Sequence, residues 1–178
     1  MLNIIKCNSC HNLEYIFEPF ICISLDIPES QELPSVASMF RNFLKTQTSC
    51  DNWKCDNCKQ STTYTKTQKI WKMPTVLVFV VKRFVDMNIK NNSPIQINKT
   101  LCVKKGSILT NLNEDYTYKF SSMGYHFGNM LGGHYCAIAK VNENYILYDD
   151  LNVNIINADQ INNIFNCNIY YLLNLINL

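Results

Sequence analysis

Ile21, Ile23, Leu25 and Ile27 recur at every second position at the end of the run Tyr15–Ile27. A period of two puts one side-chain face in a core, so Tyr15–Ile27 predicts a β-strand, which Pro28 ends. The rhythm then changes. Leu33, Val36, Met39, Phe40, Phe43 and Leu44 fall at three- and four-residue steps. That spacing predicts an amphipathic helix over Leu33–Leu44 with Pro34 in its first turn. Ser61–Trp71, rich in Thr and Tyr, suits a half-exposed strand. Val76-Leu77-Val78-Phe79-Val80-Val81 is an unbroken β-branched and aromatic run behind Pro74. It is expected to be a central strand buried on both faces.

The polar stretch Asp86–Lys105, broken by Pro94, reads as loop and short strand. Beyond it, Tyr116–Tyr125, Tyr135–Val141 and Tyr145–Tyr148 predict three more strands. A short helix follows over Asp159–Phe165, and Ile169–Leu175 closes the chain as a strand. Strands outnumber helices and short turns join them, so the expected class is α+β with a mostly antiparallel sheet. No repeat of fixed period is present.

At 178 residues the chain is about one domain. It is 47% hydrophobic and 17% charged, enough for a core and too weakly charged for disorder. The formal net charge of +2 and the lack of a basic stripe argue against a general nucleic-acid binder. No apolar run approaches the roughly 20 residues of a membrane-spanning helix, and Met1–Lys6 lacks the apolar core of a secretory signal. The expected setting is intracellular, cytoplasmic or nuclear, without a membrane partner. There, nine cysteines are expected to be thiols or metal ligands, because disulfides are rare in reducing compartments.

Four of those cysteines form two pairs, Cys7-x-x-Cys10 and Cys55-x-x-Cys58. A structural zinc takes four thiolates in a tetrahedron, and each Cys-x-x-Cys turn supplies two from one knuckle. The turn-prone Asn8-Ser9 and Asp56-Asn57 suit such knuckles. Redox chemistry would explain one pair and not two. The long insertion between the pairs means that the metal would tie distant segments into an extended, poorly cored projection. His11, next to Cys10, is expected to be an exposed neighbour.

The other pointed stretch is Gly132-Gly133-His134-Tyr135-Cys136-Ala137-Ile138. Glycines allow close approach of another chain, and a histidine opening a strand can act as a base. A hairpin turning at Asn142-Glu143-Asn144 would return Asp149 to the side of His134. A carboxylate there would orient the imidazole and fix its tautomer. A structural histidine is the competing reading.

These pieces together resemble the ubiquitin-specific proteases, the papain-like cysteine deubiquitinases. The paired knuckles look like that family's zinc-bearing fingers. Phe20 through Pro28 looks like its strand before a short helix. Pro74, Leu77 and Lys82-Arg83-Phe84 match its P-x-x-L-x-x-x-x-K-R-F segment. Tyr125-His126-Phe127-Gly128, Gly132-Gly133-His134-Tyr135 and Tyr148-Asp149-Asp150 match its histidine box, and Tyr170-Tyr171-Leu172-Leu173 its closing strand.

The resemblance implies one domain over residues 1–178. Residues 1–74 would form zinc-bearing fingers and a connecting helix, and residues 75–178 a papain-like palm. It implies that His134 is the general base, Asp149 its orienter and Asp150 a second acidic group. Gly128, Gly132, Gly133 and Tyr135 would bind the Gly-Gly tail of ubiquitin. Cys7, Cys10, Cys55 and Cys58 would hold a structural zinc. The implied chemistry is hydrolysis after the terminal glycine of ubiquitin through a thioester.

One part of the family pattern is missing. The Gly-Asn-Thr-Cys box that carries the nucleophile and its oxyanion donor does not occur in this sequence, and most of the helical thumb is expected to be absent. Of the remaining cysteines, Cys136 lies nearest His134 but is expected to pack in the sheet, and Cys22 and Cys167 in the core. Three readings stay open: the C-terminal portion of a deubiquitinase completed by a thumb segment, an inert ubiquitin-binding module, and a zinc-ribbon nucleic-acid binder. A palm lacking its thumb is expected to leave apolar surface uncovered.

Overall fold

The structure, a computed structural model, describes residues 1–29, 33–86, 89–104, 115–129, 131–165 and 172–177. The chain builds two main sheets. The smaller has four antiparallel strands in the order β2-β1-β5-β4, formed by β1 (Leu2–Cys7), β2 (Leu13–Phe17), β4 (Gln47–Lys54) and β5 (Ser61–Lys69). The larger runs β13-β12-β11-β10-β14-β6-β3, with β9 also paired to β10. Its strands are β3 (Ile23–Asp26), β6 (Val76–Lys82), β9 (Thr100–Val103), β10 (Tyr116–Asn129), β11 (Gly132–Val141), β12 (Asn144–Asp149), β13 (Asn152–Ile156) and β14 (Leu172–Asn177). Every pairing in it is antiparallel except β3 with β6. A two-stranded ribbon, β7 (Phe84–Asp86) with β8 (Ile89–Lys90), stands apart. The mostly antiparallel α+β expectation holds.

The core lies on one face of the large sheet. Leu25, Leu77, Phe79, Tyr118 and Ile138 are fully buried there, and α1 (Val36–Phe43) covers them with Val36, Met39 and Phe40. These three sit at i, i+3 and i+4, one helical stripe. The Phe40 ring meets Phe79 at 5.1 Å. Ser35 starts the helix: its hydroxyl accepts from the Ser38 N–H, and the Ser38 hydroxyl accepts from the Ser35 N–H. This reciprocal cap satisfies two end donors. Pro34 therefore stands before the cap and not inside the first turn. Asn157 and Gln160 make the equivalent exchange at the start of α2 (Ala158–Phe165).

Three strand expectations are corrected. Tyr15–Ile27 is split between the two sheets: β2 ends at Phe17, and β3 starts at Ile23 beyond Pro19, which cannot donate to a ladder. Ile23 and Leu25 are buried as their period requires, but Ile21 and Cys22 precede the strand and are exposed, so Cys22 is not core. The apolar run of β6 is buried on one face only: Leu77, Phe79 and Val81 point inward, while Val78 and Val80 are half-buried. β1, β4 and β13 are strands that the apolar pattern did not predict. Cys167 and residues 169–171 lie outside the described residues.

β10 carries the most informative irregularity. Tyr118 and Phe120 are buried on even positions, Met123 and Tyr125 on odd ones. A bulge against β14 between Phe120 and Ser122 absorbs one residue. The bulge returns the inward face to phase, so both halves of the strand feed the same core.

Candidate functional site

β11 and β12 form a hairpin whose last facing pair is Val141 with Asn144. The turn is Asn142-Glu143, with Asn142 at φ 55°, a left-handed conformation that asparagine tolerates better than most residues. One step beyond Ala137 opposite Tyr148, the register sets Cys136 opposite Asp149. His134 lies two residues along the same face as Cys136, diagonally across from Asp149. The diagonal is closed by a hydrogen bond of 2.5 Å between His134 Nε2 and Asp149 Oδ1.

That bond fixes the imidazole chemistry. With Nε2 engaged by a carboxylate, Nδ1 is the nitrogen left to exchange a proton. It is 4.0 Å from Asp150 Oδ2. Asp150 also occupies the β12–β13 turn at φ 50°, so it has a backbone role as well as a charge. The hydrogen bond that His134 makes to the Asp149 carboxylate holds its pKa above the ordinary value, with a smaller contribution from the charges of Asp149 and Asp150. Asp149 is lowered in return. The pair is half-exposed.

Where β10 faces β11, Phe127 lies opposite His134 and Gly128 opposite Gly133. Gly128 has φ 113°, and a Cβ there would strike the Gly132 carbonyl and Gly133 Cα. A Cβ on Gly133 would overlap the His126 ring and the Phe127 carbonyl. A Cβ on Gly132 would meet nothing within 4 Å. Tyr135 is exposed and lies over the buried His126 ring at 4.4 Å. Phe84, His126, Asn129, Leu131, Gly132, Gly133 and Tyr135 line an open cleft of about 390 Å³. Phe127, Leu131, Leu151, Val153 and Ile155, on β10 to β13 and their turns, are exposed apolar side chains.

Three residues position this cleft to which the sequence reading gave no role, although Arg83 and His126 stand in the matched motifs. Lys90 Nζ donates to the carbonyls of His126 (3.1 Å) and Gly128 (2.9 Å), tying β8 to the end of β10. The buried Arg83 donates to the carbonyls of Asn91 and Ser93 and anchors the segment that carries Lys90. His126 forms the floor. Burial pushes its pKa down, helped by the Lys90 charge. A lone Lys and Arg in a polar stretch carry no periodic signal; only the Lys82-Arg83-Phe84 match hinted at a role.

The four paired cysteines meet at the end of the small sheet. Their sulfurs lie within 4.8 Å of one another and could hold a metal ion. Cys7 and Cys58 are 4.0 Å apart and Cys10 and Cys55 3.7 Å, against about 3.8 Å for thiolates 2.3 Å from a tetrahedral zinc. The two knuckles repeat one backbone design. His11 donates to the Cys7 carbonyl and Lys59 to the Cys55 carbonyl, and both residues sit at φ 60°. His11 is thus an exposed turn residue outside the cluster. The Asn12 N–H and the Asn57 side chain draw the Cys10 thiol down to about 6, while burial and the neighbouring sulfurs push Cys58 up to about 11.

Cys136 is buried, and desolvation pushes its pKa up despite the Tyr125 hydroxyl beside it. It packs in the sheet as expected and lacks the helix N-terminus or cationic setting that activates a thiol. No helix among the described residues is long and apolar enough to cross a membrane.

The chain is similar to known proteins along most of its length. Ubiquitin carboxyl-terminal hydrolase 4 of Saccharomyces cerevisiae (strain YJM789) is 27% identical over 173 residues, covering 82% of this chain and 18% of that protein. Ubiquitin carboxyl-terminal hydrolase 9 of Arabidopsis thaliana is 31% identical over 118 residues, covering 64% of this chain and 13% of the relative. The chain therefore spans less than a fifth of the length of these relatives. Among solved structures, the SAGA DUB module Ubp8/Sgf11/Sus1/Sgf73 bound to monoubiquitin superposes with a TM-score of 0.82 at 25% identity. That match covers 99% of this chain and 40% of the other. The same module bound to ubiquitin aldehyde gives 0.81 at 23% identity. The family model for ubiquitin carboxyl-terminal hydrolases runs from residue 2 to residue 173, through the knuckles and the His134–Asp149 hairpin alike, and this chain belongs to that family.

Proposed function

We propose that the chain supplies the fingers and palm of a cysteine-type deubiquitinase, which cleaves after the terminal glycine of ubiquitin once a cysteine-box segment completes it. The observation that carries this reading is the His134–Asp149 pair, with Nε2 held by the carboxylate and Nδ1 left to exchange a proton. In that reading His134 Nδ1 takes the proton of the incoming thiol and returns it to the departing amine. Asp149 stabilises the imidazolium formed between the two transfers. Asp150 adds a second negative charge. Gly128, Gly132, Gly133 and Tyr135 line the path of the Gly-Gly tail, where a side chain on the substrate would clash.

The domain division follows with one adjustment. The small sheet is the fingers, and the large sheet the papain-like palm, but β3 and α1, within residues 1–74, belong to the palm core. Cys7, Cys10, Cys55 and Cys58 hold a structural zinc with no open position, completing a zinc-ribbon finger. The exposed apolar residues at the ends of β10 to β13 form the seat of the thumb segment. An intracellular, cytoplasmic or nuclear setting suits free thiols and a ubiquitinated substrate.

The test is to treat the zinc-loaded chain with ubiquitin carrying a C-terminal thiol-reactive warhead and to weigh the product. The expected result is ubiquitin bound without an adduct, binding being lost when Tyr135 and Phe127 are both changed to Ala. No binding at all would overturn the reading. An adduct that disappears in Cys136→Ser would move the nucleophile into this chain.

A further inference from the structure

The face that carries His134 and Asp149 holds a third donor of a different kind. Cys136 Sγ, a ring nitrogen of His134 and a carboxylate oxygen of Asp149 lie within 4.8 Å of one another. The register explains why: Cys136 faces Asp149 across the hairpin, and His134 precedes it by two on the same face. We propose that His134, Cys136 and Asp149 form a second divalent-metal site, suited to zinc, whose occupation switches off His134 as a base.

The donor set is the first argument. Imidazole, thiolate and carboxylate are all zinc ligands, and three protein ligands leave a fourth position for water, unlike the closed tetrad of the knuckles. Thiolate and carboxylate together neutralise a dication, so no uncompensated charge is brought to the sheet. Donors 2.0–2.3 Å from a tetrahedral zinc stand about 3.5 Å apart. Side-chain rotation of half-exposed His134 and Asp149 closes the present span, while Cys136 stays fixed in the sheet. A thiolate also makes the site selective: magnesium and calcium prefer all-oxygen shells.

The second argument is proton bookkeeping. Metal binding replaces the His134–Asp149 hydrogen bond with two bonds to the ion and releases the thiol proton. A neutral imidazole ligated through Nε2 carries its proton on Nδ1, the nitrogen that would otherwise accept one. The ion thus removes both the acceptor and its orienting carboxylate at once. This inhibitory consequence rests on the deubiquitinase reading; the metal site itself does not.

The full chain, with its knuckle site loaded, is titrated with Zn²⁺ and the ions per chain are counted by native mass spectrometry. A second ion is expected in the parent chain. Cys136→Ala and Asp149→Asn should each weaken it by about 100-fold or more, since even outer-shell changes cost about 10–100-fold. Titration with Co²⁺ should give, at the second equivalent, a sulfur-to-metal charge-transfer band that Cys136→Ala abolishes. The first ion and the circular dichroism show that each variant is folded; should one fail, the other and the cobalt spectrum decide. A single ion per chain, or a second ion unaffected by both substitutions, would overturn the proposal. Ubiquitin plays no part in this measurement, so its failure and a failure to capture ubiquitin are separate results.

Discussion

Removing the knuckle metal should unravel the small sheet and spare the large one. Apart from Cys7, Leu2 is the one buried apolar side chain among the described side chains of β1, β2, β4 and β5, while those of β2 and β5 are exposed or half-buried. Burying a leucine contributes about 2–3 kcal/mol, too little to order four strands against their conformational entropy. Structural zinc in finger peptides supplies about 10–16 kcal/mol. Losing even a third of that lowers local protection by about a thousandfold, since 1.4 kcal/mol is a factor of ten. The large sheet keeps its own core of Leu25, Leu77, Phe79, Tyr118 and Ile138. The assay is hydrogen exchange by segment, on zinc-loaded chain and on chain treated with a chelator or carrying Cys55→Ser. Peptides from β1 and β5 should exchange faster by that factor, and peptides from β6 and β10 should change little. Unchanged protection in β1 and β5 would refute the argument. So would collapse of both sheets together.

Other outcomes follow from the site and its supports. Gly133→Ala drives a methyl into the His126 ring and the Phe127 carbonyl; it should cost about 1–3 kcal/mol in urea unfolding and weaken ubiquitin binding more than Gly132→Ala does. By NMR, His134 should titrate above and His126 below the ordinary histidine value near 6.5, and Asp149→Asn should bring His134 down. For His134 the stabilisation is full below the unfolded value and fades as pH rises through the folded one. For His126 the sign reverses: stability falls as pH drops below the unfolded value, because the unfolded chain binds the proton more readily. Ser35→Ala removes one partner of the reciprocal cap and should lower thermal stability by about 1 kcal/mol.

The parts of the fold legible in the sequence are those where burial imposes a period. Val36, Met39 and Phe40 announced α1, and the alternation around Cys136 and Ile138, with turn-forming Asn142 next, was enough to put Asp149 beside His134. The small sheet was harder because it has almost no core. Gln47–Lys54 is polar but for Cys50 and Trp53, and backbone pairing and the knuckles organise it, not an apolar stripe. Glu18-Pro19 was the one mark that Tyr15–Ile27 would divide between sheets, and the alternation of Ile21 to Ile27 concealed it. Lys90, Arg83 and His126 act through carbonyls and ring contacts made only in three dimensions. The nucleophile could not be read from a sequence without its box.

The bulge in β10 bears on how this chain can change by insertion and deletion. Removing one residue at Ser121 would leave Tyr118, Phe120, Met123 and Tyr125 in unbroken alternation and β14 in continuous register. The strand could therefore lose a codon with its core pattern intact. What it would lose is the local bend and added twist of a bulge, which aim the outer half of β10, and with it β11, away from the line of the inner half. His134 and Asp149 would still meet, because both ride on the β11–β12 hairpin. Their angle to β6 and α1 would differ. A single-codon deletion is thus the change that separates assembling the base from pointing it, and the bulge is kept for direction more than for stability.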